Sequence, residues 1–200
     1  MDWHSPEYSD REGSMIVVND IYHPSNQIEK IFIKRTRYHQ FLIKRNLLLM
    51  TGYLNFSKQS LLTIADNHDE SKLKEPERTA YIWMNWAFYC KSHNISFHLS
   101  DDTKTIVEQG HLHHITTNLH HPESHQNMNH MSHLNIVEMI CDWTAISEEL
   151  SIDNGSSLLW ATKEIDKKWQ FSDEMKAFIF STINELDRRK QDNFFQSKMG

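Results

Sequence analysis

The spacing of apolar residues along the chain predicts a bundle of helices. From Gln27 onward, apolar residues recur at intervals of three, four and seven, which is the period of an amphipathic helix, and this helix is predicted to end near Gly52. Similar patterns predict helices at about 57–67, 75–89, 103–120, 134–147, 156–168 and 172–188. With few glycines and prolines to break them, we predict an all-α fold: a compact bundle of about six to seven helices over 27–190, a loosely structured N-terminal arm (1–26) and a C-terminal tail (191–200).

Local signals refine two of these helix ends. Pro122 disfavours helical geometry at the residue before it, so the fourth helix is predicted to stop at His120. Ser172 is predicted to cap the last helix, whose first turn then carries the carboxylates of Asp173 and Glu174, where they favour the helix dipole.

Composition and charge restrict the classes of partner. The formal net charge is −6, which argues against a nucleic-acid duplex as a stable partner. No run of about 18 apolar residues occurs, and the polar, acidic N-terminus does not resemble a secretory signal, so no membrane association is expected. Cys90 and Cys141 lie in apolar helical contexts and are interpreted as buried free thiols in a reducing compartment. We therefore predict a cytoplasmic protein; a homodimer is left open.

Histidines and carboxylates follow one another in a suggestive order. His68-Asp69 places an imidazole beside a carboxylate, and Lys72 follows one helical turn later. Mixed neutral nitrogen and anionic oxygen donors suit a divalent metal ion, and helical bundles commonly build metal sites from facing helices. Taken singly, His39 is more often a core histidine, Asp69 a turn cap and Asp142 a carboxylate bonded to backbone. The metal ligands predicted from the joint pattern are His39, His68, Asp69, His114, His120, His121 and Asp142.

This order resembles the HD-domain superfamily, all-α proteins whose metal ligands run His … His-Asp … Asp. The spacing from His68 to Lys72 is similar to the HDIGK-type motif of cyclic-dinucleotide phosphodiesterases, in which the lysine assists catalysis near the phosphate or leaving group. The extra histidines resemble members with two metal ions, which include diesterases and diiron oxygenases. One difference is that Pro122-Glu123 stands where the diesterases have a glycine-tyrosine-proline segment, which argues against cyclic-dinucleotide cleavage. The resemblance implies that Asp69 bridges two ions, one served by His39, His68 and Asp142 and the other by His114 with His120 or His121.

A closer resemblance is to a family of small bacterial and phage proteins known only as a domain of unknown function. Its recurring patterns are HD-x-SK, a histidine four residues before N-x-HHPE, and EM-x-CDW. This chain carries them at residues 68–72, 114–123 and 138–143, and the resemblance covers about residues 38–186. It implies the fold and the site but names no substrate.

The leading functional hypothesis is a metal-dependent phosphohydrolase that acts on a nucleotide or other small phosphorylated molecule through metal-activated water. It would use one or two divalent ions (manganese, iron, magnesium, cobalt or zinc). The alternatives are an HD-type diiron oxygenase acting on a small polar substrate, or a non-catalytic nucleotide-binding module.

The loop His125–His133 is predicted to border the pocket, with direct metal ligation as its alternative. The residues assigned to catalysis are Lys72, Asp69 and His121. Asn118 and Glu123 are assigned to cofactor binding, as residues that orient the metal ligands.

Overall fold

A computed structural model describes residues 26–199 of the chain. Within this range the backbone forms seven α-helices joined by short 3₁₀ turns, which confirms the all-α fold. The predicted N-terminal arm lies outside the described residues, apart from the first residue of α1. The helices are α1 (Asn26–Leu49), α2 (Lys58–Asn67), α3 (Glu77–Ser92), α4 (Asp101–Thr117), α5 (His133–Glu149), α6 (Leu158–Glu164) and α7 (Asp173–Met199).

Serine side chains fix where four of the helices begin. In each case the hydroxyl oxygen accepts a hydrogen bond from a backbone N–H of the first turn, which stabilises the helix by about 1 kcal/mol. The cap predicted at Ser172 is confirmed, because its Oγ accepts from the N–H of Met175 at 3.2 Å. The four caps are Ser57 for α2, Ser100 for α4, Ser132 for α5 and Ser172 for α7.

Helix α4 ends earlier than its sequence predicted. It stops at Thr117, whereas the expected end was His120. The residue that ends it is Asn118, whose backbone is extended (φ −92°, ψ 121°) and whose side-chain amide donates to the carbonyl of His114 at 2.9 Å. The same carbonyl accepts the backbone N–H of Asn118 at 3.1 Å. Both amide groups of Asn118 therefore hold the end of α4, and its extended backbone directs the chain into a turn before Pro122.

The C-terminal helices also differ in length from the prediction. α6 ends at Glu164 because Ile165 has an extended backbone (φ −66°, ψ 137°), and the left-handed Asp166 (φ 70°) then turns the chain. α7 continues to Met199, well past the predicted end at Arg188. Arg188 itself pairs with Glu185 and Asp192, one turn to either side, and such pairs support continued helix.

The buried apolar side chains form two clusters, and α1 contributes to both. The C-terminal half of α1 packs with α2, α5, α6 and α7, whereas its N-terminal half packs with α3 and α4. Trp83 and Trp86 of α3 are buried in the second cluster. Between the two apolar halves of α1 lie the buried polar residues Thr36 and His39. The polar centre described below is therefore held at the boundary between two hydrophobic clusters.

Helices α3 and α4 touch at Gly110. A Cβ at this position would lie 2.3 Å from the Cβ of Ala80 and 3.0 Å from the carbonyl oxygen of Pro76, so only glycine permits the observed approach. The close contact brings the last turn of α4, which carries His114, against Glu77 at the start of α3.

Two further expectations concern the cysteines and the membrane. Cys90 and Cys141 are free and buried, as predicted. Burial raises the pKa of the Cys90 thiol to about 11, so it stays protonated near neutral pH. Among residues 26–199, no helix combines the length and the apolar character that crossing a bilayer requires.

Candidate metal centre

The carboxylate of Asp69 is the middle of a ring of histidines. Asp69 follows α2 and has a left-handed backbone (φ 58°, ψ 13°), which turns its buried side chain into the bundle. Lys72 places its Nζ 2.5 Å from Oδ2 of Asp69. Nε2 atoms of four histidines face the same carboxylate: His114 at 3.3 Å, His68 at 3.5 Å, His39 at 3.8 Å and His120 at 3.9 Å. These distances gather donors from α1, the end of α2, α4 and the turn after α4.

Behind three of these histidines stands a buried or half-buried carboxylate that contacts the other ring nitrogen. A carboxylate on Nδ1 fixes the ring orientation and leaves Nε2 free to bind a metal ion, a pattern common in metal-binding histidines. Sequence reasoning did not assign these roles, although Glu138 shares a helical face with Asp142 and so offered a signal. The Nδ1 pairs are His68 with Glu138 at 2.8 Å, His114 with Glu77 at 2.8 Å and His39 with Glu149 at 2.5 Å.

The candidate ligand atoms of the described residues fall into three groups, and within each group they lie within 4.8 Å of one another. His39, His68 and Asp69 form the first group, and His114, His120 and His121 form the second. The third group, His68, His120 and Glu138, shares one histidine with each of the other two. Oδ1 of Asp142 lies 2.9 Å from Nε2 of His39 and so belongs beside the first group. The structure thus brings all seven residues predicted as ligands to one place.

Both histidines of the 120–121 pair face the centre. His120 is buried, with its Nδ1 3.4 Å from Oε1 of Glu138. The ring of His121 is half-buried and meets that of His114 edge-on, with 4.8 Å between ring centroids. Because α4 ends before them, the two residues lie on an extended turn, and this allows adjacent side chains to point to the same centre.

Several donor atoms of the centre are buried without a hydrogen-bond partner among the described residues. Buried polar atoms in proteins are almost always hydrogen-bonded, so each exception calls for an explanation. With its ring or carboxyl group deprotonated, each of these atoms offers a lone pair to a metal ion, so the residues present fit a bound ion. They are Nε2 of His68, His120 and His121 and Oδ1 of Asp69.

The charges of the centre are strongly coupled. Burial disfavours the ionised form of Asp69, but Lys72 and His68 hold the pKa of that carboxyl well below its usual range. Glu138 behaves alike: burial opposes ionisation, yet hydrogen bonds from His120 and His68 lower its pKa to about 2. In return, despite the opposing effect of burial, Asp69 and Glu138 raise the pKa of His68 to about 10. Ionised carboxylates in a buried site require positive charge beside them, which a metal ion supplies as well as a protonated ring.

The residues assigned to supporting roles lie in two places. Asn118 contacts a predicted ligand, since its Nδ2 lies 3.0 Å from Nδ1 of His114. Glu123 instead accepts a hydrogen bond from the indole Nε1 of Trp169 at 3.0 Å and pairs with Lys168, also at 3.0 Å. Glu123 therefore supports the wall of the cleft described next.

A cleft of about 180 Å³ opens onto the centre. Cationic side chains from three parts of the chain line it: Arg35 in α1, Lys72 after Asp69, and Lys168 after α6. Its aromatic lining consists of Tyr81, Trp143, Trp160 and Trp169. His111, which the sequence did not single out, also lines it. Within the described lining there is no residue of the loop His125–His133, so the prediction that this loop borders the pocket is wrong.

Comparison with family models identifies residues 29–185 as a match to a family described as a family of unknown function (DUF5662). The matched range contains every residue of the candidate centre and of the cleft. Searches among curated proteins and among solved structures found no significant match.

Proposed function

The chain belongs to a family of unknown function (DUF5662), and we propose that it is a metal-dependent phosphohydrolase acting on a nucleotide or other small phosphorylated molecule through metal-activated water. The observation that carries the proposal is the buried carboxylate of Asp69, faced by Nε2 atoms of four histidines and paired with Lys72 at the base of a cleft. The order of these residues also resembles that of the HD-domain superfamily.

The donor set supports one or two divalent ions. His39, His68 and Asp142 would hold one ion, His114 with His120 or His121 the other, and Asp69 would lie between them. A divalent ion bound there lowers the pKa of a coordinated water to near 7 and polarises a phosphoryl oxygen. The carboxylates Glu77, Glu138 and Glu149 hold the histidine rings in register for this.

Cationic side chains of the cleft would bind the phosphate group of the substrate. Lys72 lines the cleft beside Asp69, with its ammonium over the ring of Tyr81 at 4.7 Å from the centroid. From this position it neutralises developing negative charge on a phosphate or gives a proton to the leaving oxygen. His121, whose Nε2 has no hydrogen-bond partner in the described part of the chain, is the second candidate for that proton transfer in the arrangement in which His120 and not His121 binds the ion. Arg35 contacts Glu149 and Asn85 at the rim and contributes positive charge there.

A diiron oxygenase acting on a small polar substrate is the second candidate. The grouping of three histidines at 114, 120 and 121 favours it, because imidazole-rich sites suit iron. The two chemistries differ in a direct observable: an oxygenase consumes molecular oxygen during turnover, whereas a phosphohydrolase releases inorganic phosphate without it.

The first test is the metal content of protein purified without chelator, measured by elemental mass spectrometry. We compare the native chain with Asp69→Asn, which keeps the left-handed backbone accessible because asparagine adopts it readily. The matched control is Asp66→Asn, an exposed aspartate in α2 that pairs with Lys44. One or two equivalents of metal in the native and control proteins, lost in Asp69→Asn, support the proposal. No metal in the native chain after reconstitution would refute it.

The second test separates the candidate activities. The metal-loaded protein is incubated with a panel of phosphate monoesters while phosphate release and oxygen uptake are followed together. Phosphate release that depends on Lys72 supports the phosphohydrolase. Oxygen uptake by an iron-loaded protein supports the oxygenase. Binding of a nucleotide with neither activity would make the chain a non-catalytic binding module.

A further inference from the structure

Two buried nitrogens in the cleft have no role in the metal centre. Among the described residues, the indole Nε1 of Trp160 and the Nδ1 of His111 have no hydrogen-bond partner. Both residues line the cleft that contains Asp69 and Lys72. Tryptophan N–H groups usually find a partner when they are buried, so two unpaired nitrogens lining one ligand-sized space suggest that a ligand supplies the partner.

The chemistry of the two groups restricts that partner. An indole N–H can only donate, so the atom facing Trp160 must be a hydrogen-bond acceptor. Burial lowers the pKa of His111 to about 4, and its ring is therefore neutral near pH 7. A neutral imidazole offers either a donor or an acceptor at Nδ1, depending on its tautomer. The pair therefore matches a neutral polar group better than a second anion.

The side chains that line the cleft restrict the shape of the ligand. Trp143 and Trp169 stack on each other, with an interplanar angle of 12° and 5.3 Å between ring centroids. Together with Tyr81 and Trp160 they give the cleft an aromatic lining, which favours contact with an aromatic and therefore flat ligand. At about 180 Å³ the cleft is smaller than the ~300 Å³ at which sites for drug-sized ligands begin, so the guest must be small.

We infer that Trp160 and His111 form a recognition subsite for the non-reacting part of the substrate, and that this part is a small planar ring carrying a hydrogen-bond acceptor. The inference rests on the proposed function, which places the phosphoryl group beside Lys72 and Asp69. A site built to hydrogen-bond its substrate discriminates against an analogue without the bonding atom, because the buried protein group is then left unpaired.

The experiment uses non-hydrolysable probes that differ in one ring atom. Phenylphosphonate is compared with its three pyridyl analogues, in which one ring carbon is replaced by an acceptor nitrogen, and each is titrated into the metal-loaded full chain by calorimetry. A pyridyl nitrogen can accept one hydrogen bond from the buried Nε1–H of Trp160, which phenylphosphonate cannot. We therefore expect at least one pyridyl isomer to bind about tenfold more tightly than phenylphosphonate. That ratio should fall to about one in Trp160→Phe, which keeps a smaller aromatic ring and has no N–H to donate.

Trp86→Phe is the matched control. Its Nε1 is likewise buried without a hydrogen-bond partner in the described part of the structure, but Trp86 belongs to the cluster around α3 and does not line the cleft. The pyridyl preference should survive in this variant. If phenyl and pyridyl phosphonates bind the native chain equally, or if Trp160→Phe keeps the preference, the subsite is refuted while the phosphohydrolase stands. If no phosphonate and no inorganic phosphate binds, both are refuted.

Discussion

Replacing Gly110 with alanine should loosen the metal centre from a distance. The new Cβ would lie 2.3 Å from Cβ of Ala80, about 1.5 Å closer than the ~3.8 Å at which two carbon atoms rest. Its second neighbour, the carbonyl oxygen of Pro76 at 3.0 Å, belongs to the backbone and cannot rotate away. Helices α3 and α4 must therefore move apart.

The free-energy cost follows from two opposing effects. Forced overpacking of this kind costs about 1–3 kcal/mol, whereas alanine is better than glycine in a helix by about 1 kcal/mol. We expect a net loss of up to about 2 kcal/mol, which lowers the Tm of a chain of this size by up to roughly 8 °C. Separation of α3 and α4 also draws His114 away from Asp69 and Glu77, so metal affinity should fall by tenfold or more, since ligands tolerate shifts of only about 0.5 Å.

The assay is a double-mutant cycle with Ala80→Gly, which removes the atom that Gly110→Ala strikes. Urea unfolding and metal titration are measured for both single variants and the double variant. If the reasoning holds, the double variant recovers most of the metal affinity, and the stability cycle shows a coupling of about 1–2 kcal/mol. A coupling near zero, or native metal affinity in Gly110→Ala, would show that the helix contact does not position His114.

Three further predictions concern the centre itself. Lys72→Met should keep the metal content of the protein and lower the rate of phosphate release by about 10²–10⁴-fold. Its control is Lys74→Met, which changes an exposed lysine two residues further along the chain. Full activity of the Lys72 variant would remove this residue from the mechanism. Glu138→Gln should weaken metal binding by about 10–100-fold in a competition titration, because the carboxylate on Nδ1 of His68 loses its charge. The control is Glu148→Gln. Equal metal affinity in the two variants and the native chain would contradict the role of Glu138. Chelator should lower the Tm by roughly 5–10 °C if metal is present at ~100 times its Kd, and a Tm insensitive to chelator would mean that the centre is not loaded.

Periodicity in the sequence was sufficient to predict the helices, because the apolar residues of each helix face a cluster and repeat with the helical period. It failed at helix ends that depend on side chains outside the pattern. α4 ends where the backbone of Asn118 becomes extended and its side chain donates to the carbonyl of His114. α6 ends where the backbone of Ile165 becomes extended, just before the turn at Asp166. Neither feature has a periodic signature.

The candidate ligands could be predicted and the groups behind them could not. His68-Asp69 and His120-His121 are adjacent in the chain and stand out. Glu77 and Glu149 are ordinary helix carboxylates until α4 and α1 bring a histidine against each of them. The lining of the cleft could not be predicted either, because Trp160 and His111 lie 49 positions apart in the sequence and acquire a common role only through the packing of helices.

The two halves of the centre differ in the length of chain that separates their members, and this bears on the order of folding. His114, His120 and His121 lie within eight consecutive positions, whereas His39 and Asp142 are 103 residues apart. A short segment closes on a metal ion at little entropic cost, and histidines bind metal ions even in an unfolded chain. If the proposed metal binding holds, the three-histidine half would capture an ion first during refolding with metal present. The half that joins α1 to α5 would assemble only when the whole bundle closes, so its occupancy would mark completion of folding.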